Sequence, residues 1–257
     1  MRAIFLPACI TFFAASVPAF AQTGPTRDPQ AVLLIEKSVT AMGGSVPSDS
    51  TATGSATLVA GSLNDSGTVT ILTKGTAETA EELSLAQEGS LETIYSSGSA
   101  TRVQGTAITS LPVELASTSQ CPDFPLPLLV GALNDSDFSF QYIGAETVDG
   151  QSAYHVRFWD TFASNPTLSD LSPFTVRDIW FSASTALPLR LTWDRRAAGG
   201  SAPRIPMQVD YGNYTNMGGI LYPFEIKKSK DGTPWITITI QGVKFDTGLT
   251  DADFPVE

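Results

Sequence analysis

Residues 137–144 read Asp-Phe-Ser-Phe-Gln-Tyr-Ile-Gly, with an aromatic side chain at every second position. Alternation of this kind is typical of a β-strand that has one buried and one solvated face. The same period recurs at Tyr154, Val156 and Phe158, and again over residues 187–193. Short turns rich in Gly, Asp and Ser separate these segments. The pattern therefore predicts consecutive antiparallel strands.

Short runs of Thr, Val and Ile fill the first half of the chain in the same manner. They predict strands near residues 52–60, 67–74, 79–87, 90–96 and 100–108. Toward the C-terminus, residues 220–228 and 235–241 flank an Asp-Gly pair, which is a strong hairpin signal. About ten strands in this order predict a mainly β (α+β) fold, built on one large antiparallel sheet that must curl.

Two segments are candidates to cover the inner face of this sheet. Asp28 followed by Pro29 predicts a helix start, and apolar residues at spacings of three and four continue the helix to Met42. Residues 110–137 contain four prolines, which exclude a continuous helix or a central strand, although residues 128–133 suit one or two helical turns. We interpret this second segment either as a buried cover or as a movable lid over a cavity.

The N-terminus has the three parts of a secretory signal peptide: Arg2, an apolar run over residues 3–17, and the sequence Ala-Phe-Ala ending at Ala21. The apolar run is shorter than the roughly 20 residues that span a bilayer. We predict cleavage after Ala21, export to the periplasm or the medium, and a single domain over residues 22–257. Lipid attachment at Cys9 is an alternative, but most of the apolar segment follows that cysteine.

The acidic composition argues against two classes of partner. The formal net charge is −11 and the isoelectric point is about 4.5. Nucleic acids and anionic membrane surfaces both select basic patches, so neither is an expected partner. Cys121 is the one cysteine that remains after cleavage, so no internal disulfide is expected.

The sequence contains no pattern of a catalytic or metal site. His155 is the only histidine, and it lies on a predicted strand without the Gly-x-Ser-x-Gly turn of serine hydrolases. A polar cleft that places a carboxylate beside His155 would be needed for catalysis. Phosphate-binding and dinucleotide-binding glycine motifs are also absent, so we predict no enzyme activity, no metal and no cofactor. The acidic stretch 78–82 and the basic stretch 227–230 are interpreted as solvated surface charge.

The second half of the chain carries a series of degenerate motifs in a characteristic order. They lie at residues 143–156, 178–181, 187–191, 211–214, 219–226 and 243–254. This order resembles the bacterial outer-membrane lipoprotein-sorting proteins, a family of periplasmic lipoprotein carriers and receptors, over about residues 137–257. The resemblance implies an unclosed β-barrel of about eleven antiparallel strands, with helices over a concave face that holds acyl chains. No arginine of this chain aligns with the lid arginine of those carriers.

The candidate ligand-binding residues are apolar side chains on the predicted inner face or in the proline-rich segment. They are Phe138, Phe140, Tyr142, Tyr154, Val156, Phe158, Phe181, Leu189, Leu191, Trp193, Ile236, Ile238, Leu128 and Leu129. Ordinary core packing is the alternative role for each of them. We predict that some line a pocket for a lipid or acyl chain. The competing function is a non-catalytic protein-binding scaffold with a sealed core.

Overall fold

The computed structural model describes residues 24–116, 122–196 and 204–256. The strands are β1 (Asp49–Ala60), β2 (Leu63–Lys74), β3 (Glu78–Leu85), β4 (Gly89–Ser96), β5 (Ser99–Gln104), β6 (Ala107–Ser110), β7 (Phe138–Val148), β8 (Gln151–Asp160), β9 (Arg177–Ser182), β10 (Pro188–Arg196), β11 (Arg204–Met217), β12 (Ile220–Lys230) and β13 (Thr233–Phe245). The α-helices are α1 (Pro29–Ala41), α2 (Val113–Ala116) and α3 (Pro125–Asn134), and 3-10 turns cover Pro166–Phe174 and Asp251–Asp253.

All thirteen strands belong to one antiparallel sheet, in the order β6-β5-β4-β3-β2-β1-β13-β12-β11-β10-β9-β8-β7. Except for β6 and β7, strands adjacent in the chain are neighbours in the sheet, and the pairing of β1 with β13 joins the two halves. The end strands β6 and β7 do not pair with each other, so the sheet is not closed. The predicted mainly β class and the unclosed antiparallel sheet are confirmed.

The number of strands differs from the sequence-based expectation of ten or eleven. The predicted strand 100–108 is two strands, β5 and β6, which a turn at Gly105 separates. Gly105 adopts a φ of +57°, a conformation that a residue with a Cβ enters at a steric cost. The turn reverses the chain and so adds a strand.

One face of the sheet carries the main hydrophobic core. In the centre, Ala56 of β1 lies opposite Ile238 of β13, which lies opposite Ile226 of β12. Each of these side chains is at most 2% exposed. The period-two pattern therefore produces a continuous apolar face, and other parts of the chain must cover this face to shield it from water.

Helix α1 supplies part of that cover. Its N-terminus is capped by the Asp28 carboxylate, which accepts a hydrogen bond of 2.8 Å from the backbone N–H of Gln30, and Pro29 occupies the first turn. The buried side of the helix includes Ala31 and Ile35, both fully buried, and it packs on β7, β8 and α3. The helix ends one residue before the predicted boundary.

Helix α3 supplies the rest of the cover. Pro125 and Pro127 both lie in its first turn, where backbone N–H groups have no intrahelical acceptor, so neither proline interrupts the helix. Glycine at position 131 lets the helix pass close to the β2–β3 turn, because a Cβ there would lie 3.2 Å from the Cβ of Thr76. We call residues 122–134 the plug.

The C-terminal segment folds back on the outer face of the sheet. Phe254 is 2% exposed and packs with Ala80 and Ile94 in a small second core. The turn into this segment is held by Asp49, whose carboxylate accepts hydrogen bonds from the backbone N–H groups of residues 247–249 and from the Thr247 hydroxyl. The tail thus depends on one buried carboxylate.

Candidate functional site

The structure brings most of the candidate residues together on the concave face, beneath the plug. Twelve of them belong to the main core: Leu128, Leu129, Phe138, Phe140, Tyr142, Val156, Phe158, Phe181, Leu191, Trp193, Ile236 and Ile238. Tyr154 is half-buried at the rim, where its ring centre lies 6.5 Å from that of Tyr142. Leu189 is the exception.

Leu189 lies at an irregularity in the pairing of β9 and β10. Pro188 is opposite Phe181 while Arg190 is already opposite Trp180, so the expected alternation with Leu191 is shifted at this point. Leu189 is half-buried and lines a separate pocket of about 160 Å³ together with Asp149. The alternation predicted for residues 187–193 therefore holds from Leu191 onward and not at Leu189.

The aromatic candidates form a stack near the free edge of the sheet. The ring centres of Phe138, Phe140 and Phe158 lie 6.3–6.4 Å from one another. The guanidinium of Arg27 lies 4.6 Å from the centre of the Phe140 ring, a cation–π geometry. The same guanidinium donates hydrogen bonds of 2.8 and 3.0 Å to the backbone carbonyls of Leu133 and Asp135, which fixes the C-terminal end of the plug.

The N-terminal end of the plug is inserted against β11–β13. Phe124 is 2% exposed and stacks on Tyr222, with ring centres 4.5 Å apart. The Tyr211 hydroxyl donates a hydrogen bond of 2.7 Å to the carbonyl of Pro122. Leu126 and Leu129 follow and are fully buried. The plug therefore covers the concave face with side chains as apolar as those of the sheet.

A buried ionic cluster lies at this same end. The Lys228 ammonium donates a 2.8 Å hydrogen bond to Asp123 of the plug and also contacts the carboxylate of Glu81 on β3. Asp123 is fully buried, and the side chains of Lys228 and Glu81 are only 9% and 12% exposed. The cluster thus connects the plug to two strands that are separated by three others in the sheet.

The electrostatics of this cluster favour retention of one proton. Burial raises the pKa of Glu81 to about 8, because the ionised form loses hydration. The positive charge of Lys228 opposes this rise, whereas the neighbouring Asp123 carboxylate and its hydrogen bond to Glu81 add to it. Two carboxyl groups and one ammonium therefore share a net charge near zero at neutral pH.

The burial of Glu81 and Lys228 contradicts their interpretation as solvated surface charge. Residues 78–82 and 227–230 were expected to be solvated, and this is wrong for Glu81 and Lys228. Lys228 belongs to strand β12 and not to the turn, at the same parity as the buried Ile226. Counting in twos from Ile226 would have placed this lysine on the inner face.

His155 lies on the opposite, outer face of the sheet. Its Nδ1 is 2.8 Å from a carboxylate oxygen of Glu146, and its Nε2 is 2.7 Å from one of Asp178. The ring stacks on Trp180 at 4.2 Å, and Arg157 completes the network through two 2.9 Å hydrogen bonds to Asp178. Both ring nitrogens are engaged and the side chain is 9% exposed, so the carboxylates hold the ring as a structural link between strands.

Metal-binding clusters and membrane-spanning helices are both absent from the described residues. Within residues 24–116, 122–196 and 204–256, no group of three or more His, Cys, Asp or Glu side chains is arranged to hold a metal ion. Over the same ranges, every helix is too short or too polar to cross a bilayer. The predicted signal peptide, Cys9 and Cys121 all lie outside the described residues.

No protein-family model and no curated protein sequence matches this chain. Solved structures do match. A domain from Vibrio parahaemolyticus, described as belonging to outer membrane lipoprotein sorting, is 11% identical, with a TM-score of 0.60 over 88% of this chain and 96% of its own. A LolA superfamily protein from Nitrosomonas europaea is 15% identical, with a TM-score of 0.55 over 88% and 97%.

The chain has the fold of these lipoprotein-sorting proteins. A DUF1329 family protein from Desulfovibrio piger shares it as well, at 13% identity and a TM-score of 0.58 over 91% of this chain and 98% of its own. The resemblance predicted from the order of the motifs is confirmed for the fold, and it extends into the first half of the chain, where no motif indicated it. In this fold the strand candidates other than Leu189 lie on the concave face or its rim, and Leu128 and Leu129 lie in the plug that covers it.

Proposed function

We propose that the protein is an exported, non-catalytic carrier that holds an acyl chain or another lipid against the concave face of its sheet. In this proposal the signal peptide is removed after Ala21, and residues 22–257 act as one domain in the periplasm or the medium. The candidate residues on the strands, apart from Leu189, form the binding surface, and Leu128 and Leu129 belong to the plug that covers it. The similarity in fold to lipoprotein-sorting proteins supports this assignment.

The observation that carries the proposal is the nature of the cover. The apolar concave face is not closed by further strands but by the plug, which contributes no strand to the sheet. Leu126, Leu128 and Leu129 of the plug are at most 7% exposed and belong to the main apolar core. An acyl chain offers the same chemistry as these side chains and is suited to replace them.

The attachment of the plug is compatible with such a replacement. Its C-terminal end is held by hydrogen bonds from Arg27 to two carbonyl groups, and its N-terminal end by Asp123 and by the Tyr211 hydroxyl. Between these points the plug is helix α3, whose apolar side chains pack in the main core. In the proposed carrier this helix moves outward as one unit when either attachment is released, which uncovers the concave face.

Binding is tested first on the mature protein purified from a bacterial periplasm. Native mass spectrometry and organic extraction are expected to show a lipid or acylated species at a defined stoichiometry. After delipidation, a fluorescent fatty acid is expected to bind with the same stoichiometry. N-terminal sequencing of the same material is expected to begin at Gln22.

A matched pair of variants locates the binding surface. Tyr142→Asp places a charge on the half-buried concave rim, whereas Gln141→Asp places it on the exposed opposite face of the same strand. We expect Tyr142→Asp to weaken fatty-acid binding by about tenfold or more, because an acyl chain cannot compensate a desolvated carboxylate. Gln141→Asp is expected to bind like the unmodified protein.

The sealed state of the core favours one alternative, a protein-binding scaffold. Phe140, Val156 and Phe158 are fully buried without a ligand, as in an ordinary core. A ligand-free mass of the periplasmic protein, together with no uptake of the fluorescent fatty acid, would refute the carrier proposal and leave this alternative. Equal binding by Tyr142→Asp and Gln141→Asp would exclude the concave face as the binding surface.

A further inference from the structure

At one end of the barrel the inner face changes from apolar to cationic. Arg102 of β5 lies opposite Thr93, with the same parity as the buried Ala100. Arg195 of β10 follows Leu191 and Trp193 at spacings of two and thus continues the inner side of that strand. Strands β5 and β10 are far apart in the sheet order, yet helix α2 contacts both of them. The curl of the sheet therefore brings β5 and β10 close together at this end.

Neither of these two arginines has a counterion among the residues that the structure describes. Neither guanidinium forms an ion pair or hydrogen bond with any described residue. Residues 117–121 and 197–203, which follow α2 and β10 in the chain, contain no Asp or Glu. The pKa of Arg195 lies below its ordinary value, first because burial disfavours the charged form and second because Arg102 repels it. In a chain with a net charge of −11, this arrangement leaves positive charge concentrated inside the barrel.

A third unsatisfied donor lies on the same strand as Arg195. The indole N–H of Trp193 is inaccessible to solvent and has no hydrogen-bond acceptor among the described residues. Trp193 is two residues before Arg195, on the same side of β10, and lies opposite Arg177 of β9. A buried donor without an acceptor is costly, and most buried polar groups in folded proteins are satisfied.

Two carboxyl groups near this end of the barrel act on other groups. Glu81 of β3 lies opposite Thr93, the cross-strand neighbour of Arg102, but it contacts Lys228, and burial raises its pKa to about 8. Asp160 of β8 contributes to the raised pKa of Tyr95 of β4, for which burial is the main cause. The charge that acts on Arg195 is that of Arg102. The site therefore offers donors and positive charge, and its chemistry calls for a ligand rich in acceptor oxygens.

We propose that Arg102, Arg195 and the Trp193 indole bind the anionic head group, a phosphate or carboxylate, of a lipid whose acyl chain lies on the concave face. A guanidinium presents paired N–H groups that match such oxygens, and the indole N–H supplies one further bond. This inference rests on the proposed carrier function and specifies its ligand as an anionic amphiphile. The cationic end would set the direction in which the lipid enters.

The test compares ligands that share a chain and differ in the head group. Displacement of a neutral fluorescent probe from the delipidated mature protein is measured with decyl phosphate, with 1-decanol and with inorganic phosphate alone. We expect decyl phosphate to bind at least about tenfold more tightly than 1-decanol, because only the phosphate engages the two guanidinium groups. Inorganic phosphate is expected to leave the probe bound and, by calorimetry, to bind far more weakly than decyl phosphate.

The variants assign this preference to the proposed residues. In the double variant Arg102→Gln/Arg195→Gln, the affinity for decyl phosphate is expected to fall to within about twofold of that for 1-decanol, which itself stays unchanged. Trp193→Phe keeps an aromatic ring but removes the indole N–H, and it is expected to reduce the ratio of decyl phosphate affinity to 1-decanol affinity by about threefold. Arg204→Gln removes an exposed arginine from the outer face and serves as the control. Circular dichroism verifies that each variant is folded.

The outcomes separate the two proposals. If both decyl ligands bind with equal affinity, the head-group subsite is wrong and the carrier function stands. If the double variant keeps the preference for decyl phosphate, these arginines are not the subsite. If inorganic phosphate binds as tightly as decyl phosphate, the site takes a free anion and not a lipid. If neither decyl ligand displaces the probe or binds, both proposals are refuted.

Discussion

The substitution Lys228→Met tests the buried contact between the plug and the sheet, and its effect on the free energy of unfolding can be predicted. The substitution keeps most of the side-chain volume and removes the ammonium that faces Asp123 and Glu81. Glu81 tolerates the loss, because burial already raises its pKa to about 8 and keeps it largely protonated at neutral pH. Asp123 does not, because it is fully buried and loses its cationic partner.

Removal of one partner from a buried ion pair typically costs about 3–5 kcal/mol. For a domain of this size, each kcal/mol lowers the unfolding temperature by about 2–4 °C. Lys228→Met is therefore expected to lower the free energy of unfolding by about 3–5 kcal/mol and the melting temperature by about 6–20 °C. The double variant Lys228→Met/Asp123→Asn removes both charges and is expected to recover more than half of this loss.

The neighbouring residue provides the matched control. The Lys227 side chain is 55% exposed and pairs with Glu225 on the surface, so Lys227→Met is expected to cost at most about 1 kcal/mol. Urea titration at pH 7, followed by tryptophan fluorescence, measures all three variants against the parent. An equal effect of Lys227→Met and Lys228→Met, or no recovery in the double variant, would contradict the assignment of a buried cluster.

Three further predictions concern Glu81, Asp49 and Gly67. Burial raises the folded-state pKa of Glu81 from 4.5 to about 8, so between these pH values the folded protein binds more protons than the unfolded chain. The free energy of unfolding should therefore decline as the pH rises from about 4.5 to about 8. Glu81→Gln should flatten that decline in urea titrations. Burial alone would raise the pKa of Asp49, but hydrogen bonds from residues 247–249 outweigh burial and lower it. The stability that the ionised carboxylate contributes should therefore be lost as the pH falls below about 4. Asp49→Asn should cost about 2–3 kcal/mol at pH 7 and expose the C-terminal tail to carboxypeptidase. A Cβ at Gly67 would lie 1.8 Å from the carbonyl oxygen of Ser84, so Gly67→Ala should disrupt the β2–β3 pairing and reduce soluble yield, whereas Gly24→Ala, with open space around it, should not.

The faces of the strands were predictable where pairing is regular. Phe140, Val156 and Phe158 face the core as the alternation indicated, because parity along a strand is a local property. Leu189 departs from its expected position because of an irregularity against β9, which depends on the partner strand. A pattern confined to one strand does not contain that information.

The buried ionic cluster was harder to predict from the sequence, for a different reason. Lys228 could have been placed by parity with Ile226, but the charged run around it outweighed the pattern. Asp123 lies 105 residues away in a segment without strand periodicity, so its position depends on how the plug packs. Charge in a sequence is a weak guide to exposure when the partner is distant in the chain.

The energetics of the plug link the fold to the proposed function. Phe124, Leu126, Leu128 and Leu129 are at most 7% exposed, and burial of each such side chain contributes about 1.5–3 kcal/mol, or about 6–12 kcal/mol for the four. An acyl chain of about 14 methylenes gains about 11 kcal/mol on burial at about 0.8 kcal/mol per methylene. The two terms are similar, so exchange of plug side chains for an acyl chain on the concave face is nearly balanced. A modest additional interaction, such as an anionic head group with Arg102 and Arg195, would then be sufficient to favour the loaded state, and its loss would release the lipid.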